Sequence, residues 1–421
     1  MGEFFGMNDP APARPAGAHP RGAACTRADR LARERRIAFQ DGWELEEPEA
    51  RFALPAPPTS PTSPAPVRPR LIADVSAKAI VRDTSPDVPF DRAINPYRGC
   101  EHGCIYCFAR PGHAALGLSP QTDFDTKILV KRAAPALLAA ELRAPAYVCA
   151  PIAIGADTDP YQPAETQERV TRALLETLRA HRHPLSVTTK GALVTRDADI
   201  LGEMGRAGLA QVTVSLTTLD SALSRAMEPR AASPQARLRA IRTLARAGVP
   251  VGVLIAPIVP GLTDHEIERM LEAAAAAGAS SAAWIALRVP PQIEGSFVRW
   301  LHEAMPERAE RVMNRVRELH GAEARGAAPG RGASGRGASG QGVSGQGVSG
   351  QGVSGRAAGE GGASGRAASG RAAREGGVWS GLIRRRFEAS ARRLGLDRKA
   401  AALRCDLFRV PAQAGDQFTL F

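Results

Sequence analysis

Three cysteines, Cys100, Cys104 and Cys107, fall within eight positions in the run Asn95-Pro-Tyr-Arg-Gly-Cys100-Glu-His-Gly-Cys104-Ile-Tyr-Cys107. Thiolates select soft metals, so zinc and iron–sulfur chemistry both fit this spacing. A four-iron cluster takes four sulfur ligands, and only three are local here. The iron left without a protein thiolate is a coordination site at which a molecule bearing an amino and a carboxylate group can chelate. A sulfonium adjacent to those groups would then sit close to the cluster, where one electron cleaves a carbon–sulfur bond. The alternative is a zinc ion held by the three cysteines and His102 or His113. Gly99 and Gly103 let the backbone turn tightly around a bulky centre.

Two cysteines separated by three residues, then one residue, an aromatic (Tyr106) and a third cysteine form a pattern that resembles the radical S-adenosylmethionine (SAM) superfamily. Further runs are Gly155-Ala-Asp157-Thr-Asp159-Pro-Tyr-Gln-Pro-Ala-Glu165, Thr188-Thr-Lys190, Ser215, Glu228-Pro-Arg230-Ala-Ala-Ser-Pro234 and Ala256-Pro-Ile-Val-Pro260-Gly-Leu-Thr-Asp264. Together they are similar to the DNA repair photolyase-like branch of that superfamily, relatives of spore photoproduct lyase, over about residues 70–320 and weakly over the last 45 or so.

The resemblance implies a 4Fe-4S cluster on Cys100, Cys104 and Cys107 and reductive cleavage of SAM to a 5′-deoxyadenosyl radical that abstracts hydrogen from a substrate. It implies an electron donor of the flavodoxin or ferredoxin type. It also implies cofactor contacts from Gly155, Ala156 and Asp157 at the amino group, Ser215 at the ribose or methionine portion, and the backbone near Tyr106 at the adenine. Lys190 is assigned to the cofactor's carboxylate, because an ammonium there forms a charge-assisted pair and the chain has only five lysines against 50 arginines.

The resemblance has a gap. Spore photoproduct lyase returns a hydrogen atom from a cysteine just after the second strand, where this chain has Ala156. Cys149 lies seven residues earlier, on the opposite face of a regular strand, and is expected to be a buried structural residue. The photoproduct reaction is therefore not the default. Cys25 and Cys405 are isolated thiols without a role. His102 and His113 are expected to bond backbone or sulfur. Arg98, Arg110 and Arg288 either line the cavity mouth for a phosphate or carboxylate substrate or form barrel salt bridges.

Such groups need a scaffold that brings loops together. Apolar β-like runs at Tyr147–Ile154, Pro184–Thr189, Gln211–Leu216, Pro250–Val259 and Ser281–Val289 alternate with helix-like segments near 163–181, 195–207, 233–247, 263–277 and 296–319. A strand before Cys100 and a helix after Cys107 complete six β–α pairs. Parallel strands need crossover helices of this size, which predicts an α/β fold, a partial (β/α)6 TIM-like barrel, with a doubly wound sheet as the alternative. In a barrel the chemistry gathers at the C-terminal ends of the strands, where Asp157, Asp159, Lys190 and Ser215 would fall.

The flanks differ in composition. Glycine and proline number 42 and 33 of 421 residues and crowd into both ends. Residues 1–70 read as a disordered Ala/Pro/Arg-rich region, 71–320 as the core domain, 321–377 as a Gly/Ser/Ala-rich pentapeptide linker, and 378–421 as a basic helix and tail. The net charge is +12, but the stretch between residues 70 and 321 carries 29 basic and 27 acidic side chains, so the excess is mainly C-terminal. The helix Val378–Leu394 either docks on the barrel with its arginines solvated or contacts nucleic acid.

Six cysteines are too few for a disulfide scaffold, and no apolar run spans a membrane, which with the metal-like cluster points to the reducing cytoplasm and no membrane partner. Two substrate classes stay open: a nucleic acid lesion or base, and a peptide or small metabolite. A non-catalytic iron–sulfur or zinc module is the rival outside enzymes.

Overall fold

The computed structural model describes residues 69–82, 90–319, 378–398 and 400–412. Residues 1–68 of the expected N-terminal disordered region, Cys25 among them, and the whole of the pentapeptide linker lie outside them.

The described residues open with three short strands, β1 (Arg70–Ala73), β2 (Val81–Arg82) and β3 (Arg92–Ile94), followed by β4 (Tyr97–Arg98). After the cysteine loop and a 3-10 turn at Arg110–Leu116 come β5 (Lys127–Val130) and α1 (Ala134–Leu142). The repeating part follows as β6 (Ile152–Ile154), α2 (Glu165–Glu168), α3 (Val170–Ala180), β7 (Leu185–Thr189), α4 (Ala198–Arg206) and β8 (Ala210–Leu216). It continues with α5 (Ser221–Met227), α6 (Pro234–Arg246), β9 (Val251–Ile258), α7 (Ile267–Ala277), β10 (Ser281–Ala286), α8 (Pro291–Ala304), α9 (Ala309–Leu319) and α10 (Val378–Arg393).

Six strands are parallel and lie in sequential order, β3-β6-β7-β8-β9-β10, with β2 antiparallel at one edge. A doubly wound sheet would reverse its order at a switch point, and this one does not, so the barrel reading holds. Alternation within the strands shows how it curls. Leu185, Val187, Val212, Val214, Val251 and Val253 pack into the core shared with Leu174, Leu178, Ile200, Ile241, Leu244 and Met270 of the helices. The intervening Ser186, Thr188, Gln211 and Thr213 are only partly buried and form the inner face, leaving it polar.

The structure corrects several boundaries. The helix expected near 163–181 is two helices, broken at Arg169 in the left-handed region (φ 52°). That expected near 296–319 is α8 and α9, split around Pro306. The strand expected from Tyr147 starts only at Ile152, because Pro151 has no amide hydrogen to give a ladder. A side sheet, β1-β5-β4, and the short α5 were not expected. Each is too short to carry a periodic signal.

The C-terminal helix docks on the barrel. Ile383, Phe387 and Ala391 enter the main core, Trp284 of β10 meets Phe387, and Leu382 is exposed. Arg386 and Arg393 pair with Glu268 and Glu272 of α7. The chain then crosses the N-terminal ends of the strands: Arg404 N donates to Gly208 O (2.9 Å) and Arg409 N to His181 O (3.0 Å).

Candidate functional site

The cysteine loop leaves β4 and is braced from several sides. Cys100 N donates to Phe124 O (2.9 Å), Ile105 N to Met227 O (3.1 Å) and Arg230 N to His102 O (3.2 Å). Gln162, on the segment after β6, accepts from Glu101 N (2.9 Å) and donates to Gly99 O (3.1 Å). Gly99 has φ +87°, and a Cβ there would stand 2.7 Å from Phe124 O, so glycine is required at this turn. Ile105 and Tyr106 belong to a second core with Leu223, Met227, Phe297 and Trp300, so α5 and α8 back the loop.

Cys100 and Cys104 are buried and Cys107 is half-buried. Burial pushes all three thiols up, that of Cys104 to about 12, with Glu228 adding to the effect. Among the described residues no three His, Cys, Asp or Glu side chains converge closely enough to hold a single metal ion. The two histidines of the zinc alternative are otherwise engaged: His113 Nε2 lies 3.1 Å from Lys127 O, and His102 Nδ1 lies 3.5 Å from Asp159 Oδ2. The donor set of three thiols on one glycine-turned loop fits a multi-iron cluster better than zinc.

Tyr106, Lys190 and Ser215 come together. Lys190, half-buried at the end of β7, donates from Nζ to Ser215 Oγ (2.9 Å) and stands 6.0 Å from the centre of the Tyr106 ring. Asp159 fixes the turn that carries the lysine: its carboxylate accepts from Thr189 Oγ1 and Lys190 N, both at 2.6 Å. Gly155, Ala156 and Asp157 follow β6. Gly155 has φ +86°, and a Cβ would meet Thr188 O at 2.3 Å. Asp157 is exposed and bonded in both directions to Asn95, at 3.0 and 3.1 Å, rather than to the Lys190 group.

Sequence reasoning missed the buried node beneath these residues. Glu228 accepts from Tyr106 Oη and from Thr217 Oγ1 (2.7 Å) on one oxygen, and pairs with Arg237 on the other. Arg237 also donates to Ser215 O (3.2 Å) and Ala232 O (2.8 Å). Burial alone would raise the Glu228 carboxyl, but Arg237 and Lys190 hold it down at about 2. A signal was present: Arg237 shares the stripe Arg237, Ala240, Ile241, Leu244 on α6, a charge on an otherwise apolar face.

Arg110 is buried and donates to the carbonyls of Cys104, Pro120 and Gln121, and Arg98 pairs with Asp74, whereas Arg288 is exposed. Arg98 and Arg110 therefore serve structure rather than the cavity mouth. Cys149 precedes β6 and Ala156 follows it, so the two stand at opposite ends of the strand. The expectation that Cys149 is a buried residue on a regular strand fails, because it is half-buried in the lead-in to that strand.

A parallel barrel carrying a three-thiol loop, with a lysine and a serine at the ends of neighbouring strands, defines a site at the C-terminal face, where barrel enzymes do their chemistry. A family model described as the radical SAM superfamily matches residues 94–274. An uncharacterized protein of Mycobacterium tuberculosis is 40% identical over 235 residues, 55% of this chain and 68% of the relative. Another, from Methanocaldococcus jannaschii, is 28% identical over 173 residues, 41% of this chain and 62% of the relative. A solved structure of a spore photoproduct lyase mutant with bound AdoMet and dinucleoside spore photoproduct aligns at a TM-score of 0.43 and 18% identity. That alignment covers 56% of this chain and 66%, just under two thirds, of the other. The chain belongs to the radical SAM superfamily. Among the described residues no helix is long and apolar enough to cross a membrane.

Proposed function

We propose that this protein is a radical SAM enzyme that holds a 4Fe-4S cluster on Cys100, Cys104 and Cys107 and binds SAM against Lys190, Ser215 and the segment Gly155 to Asp157. The observation that carries the reading is the approach of Lys190, Ser215 and Tyr106 beside a loop of three cysteines. When bound, the cluster supplies the single electron that splits SAM into methionine and a 5′-deoxyadenosyl radical.

The chain's own residues have distinct tasks in this reading. Lys190 meets the cofactor's carboxylate, and its turn is set by Asp159. Ser215 receives the ribose or methionine portion, and the backbone beside Tyr106 receives the adenine. Asp157, held by Asn95, presents a carboxylate to the amino group. The core around Phe297 and Trp300 backs the loop on one side and limits water there. The electron comes from a flavodoxin or ferredoxin type donor in the reducing cytoplasm.

For the substrate, the resemblance to the photolyase-like branch favours a base or lesion in nucleic acid. A peptide or small metabolite is the second reading, favoured by the engagement of Arg386 and Arg393 with α7. Salt-dependent binding of DNA or RNA separates the two, because phosphate contacts release counterions. With Ala156 in place of a thiol after β6, the hydrogen-returning cysteine of spore photoproduct lyase has no counterpart at that position. The experiment for the chemistry is anaerobic reconstitution followed by SAM and a strong reductant: 5′-deoxyadenosine forms with the natural chain and not with Cys104→Ala. Its absence from iron-loaded natural protein would leave a non-catalytic module.

A further inference from the structure

The segment after α10 returns to the floor of the barrel, the face opposite the cysteine loop. There Cys405, expected to be an isolated thiol, comes beside Cys149: the strap that carries it packs the Phe408 ring against Tyr147, two residues before Cys149, and the two thiols interact electrostatically. Both are half-buried, and both backbones are fixed.

On the Cys149 side, Arg92 Nη1 donates to Val148 O (2.7 Å), and Tyr147 Oη lies 2.7 Å from His183 Nε2. On the Cys405 side, Arg404 N is bonded to Gly208 O, Phe408 N closes a turn on Cys405 O (3.2 Å), and Arg143 Nη1 reaches Pro411 O (2.8 Å). The Phe408 ring sits 5.6 Å from that of Tyr147 and 5.3 Å from that of His183. The two thiols are thus presented to each other by rigid neighbours on both sides, which raises the effective concentration of one toward the other.

We propose that Cys149 and Cys405 form a modification site, a reversible disulfide that staples the C-terminal strap across the floor of the barrel. A small-molecule disulfide is the oxidant. The thiolate of one cysteine attacks one of its sulfurs and expels a thiolate; the second cysteine attacks the resulting mixed disulfide and expels the other. One sulfur–sulfur bond breaks and one forms, the two protein thiols lose two electrons, and their two protons end on the two released thiols. Burial, reinforced by Cys405, pushes the Cys149 thiol up to about 12, so the exchange is slow at neutral pH and accelerates with alkalinity. The staple joins the segment that follows the linker to the strand that begins the repeating part of the barrel. It is independent of the cluster reading.

The test uses the full, iron-reconstituted chain, incubated without oxygen with oxidised glutathione, then alkylated, digested without reduction and analysed by mass spectrometry. The expected result is a peptide pair joined through Cys149 and Cys405, together with a melting temperature on the order of 5 °C higher that returns to its starting value on reduction. Cys405→Ser should form neither the linked pair nor the shift, and Cys149→Ser should behave the same way. Glutathione adducts on the two cysteines without a link between them, or a linked pair in which either is joined to another cysteine, would overturn the proposal.

Discussion

Glu228 and Arg237 form an ion pair in which the side chains are 0% and 1% exposed, and the same carboxylate receives the hydroxyl of Tyr106 from the cysteine loop. One buried pair therefore ties the loop, α6 and, through Ser215 O, the end of β8 into a single unit. The structural consequence is that the lysine–serine contact and the thiol loop cannot move independently.

Glu228→Gln leaves Arg237 as a buried charge with no counter-ion, and the expected loss is roughly 3–5 kcal/mol of unfolding free energy. Urea denaturation measures it. The double variant Glu228→Gln with Arg237→Leu should recover part of the loss, because the orphaned charge is gone; a double variant no more stable than the single would show that the pair is not the cause.

Lys190→Met should weaken SAM binding about tenfold or more while iron per chain stays unchanged, since a charge-assisted bond is lost and the side chain of Lys190 hydrogen-bonds Ser215 rather than a thiol. Equilibrium binding of SAM to reconstituted protein reads this. Equal affinity in the two proteins would remove the lysine from the carboxylate.

Gly99→Ala forces a Cβ against the Phe124 carbonyl at a backbone angle that alanine rarely adopts. Iron incorporated on reconstitution should fall by more than half, measured against total protein, with the far-ultraviolet spectrum retained.

His183 supplies a pH dependence. Burial pushes its imidazole down to about 4 from an ordinary value near 6.5. Between those values the unfolded chain binds the proton and the folded chain does not, so stability falls as pH drops from 6.5 toward 4, by about 1.4 kcal/mol per unit and roughly 3 kcal/mol in all. His183→Gln should therefore narrow the gap to the natural chain as pH falls through this range. A gap that stays constant from pH 7 to pH 4 would show that His183 does not titrate in that window.

The barrel was legible because β7, β8 and β9 are long enough to alternate and are separated by amphipathic helices of ordinary size. The thiol loop was legible because its chemistry lies within eight residues. Lys190 and Ser215 could be placed at strand ends from the same pattern, and their contact follows from adjacent parallel strands. The pairing of Glu228 with Arg237 and the hold of Asp159 on the Lys190 turn were hidden for another reason: each acts through residues distant in sequence, and a single polar side chain reads as noise until the partner is known. The pairing of Cys149 with Cys405 was illegible in the same way, since 256 residues separate them. Asp157 was placed correctly after β6, but its engagement with Asn95 had no local signal.

The central claim is that three thiols hold a cluster with one iron open to SAM. Electron paramagnetic resonance of the reduced, anaerobically reconstituted chain tests it most directly, recorded before and after SAM is added. The account predicts a four-iron signal that changes on addition of SAM and is lost in Cys104→Ala. A signal unaltered by saturating SAM, or protein that takes up no iron, would contradict it.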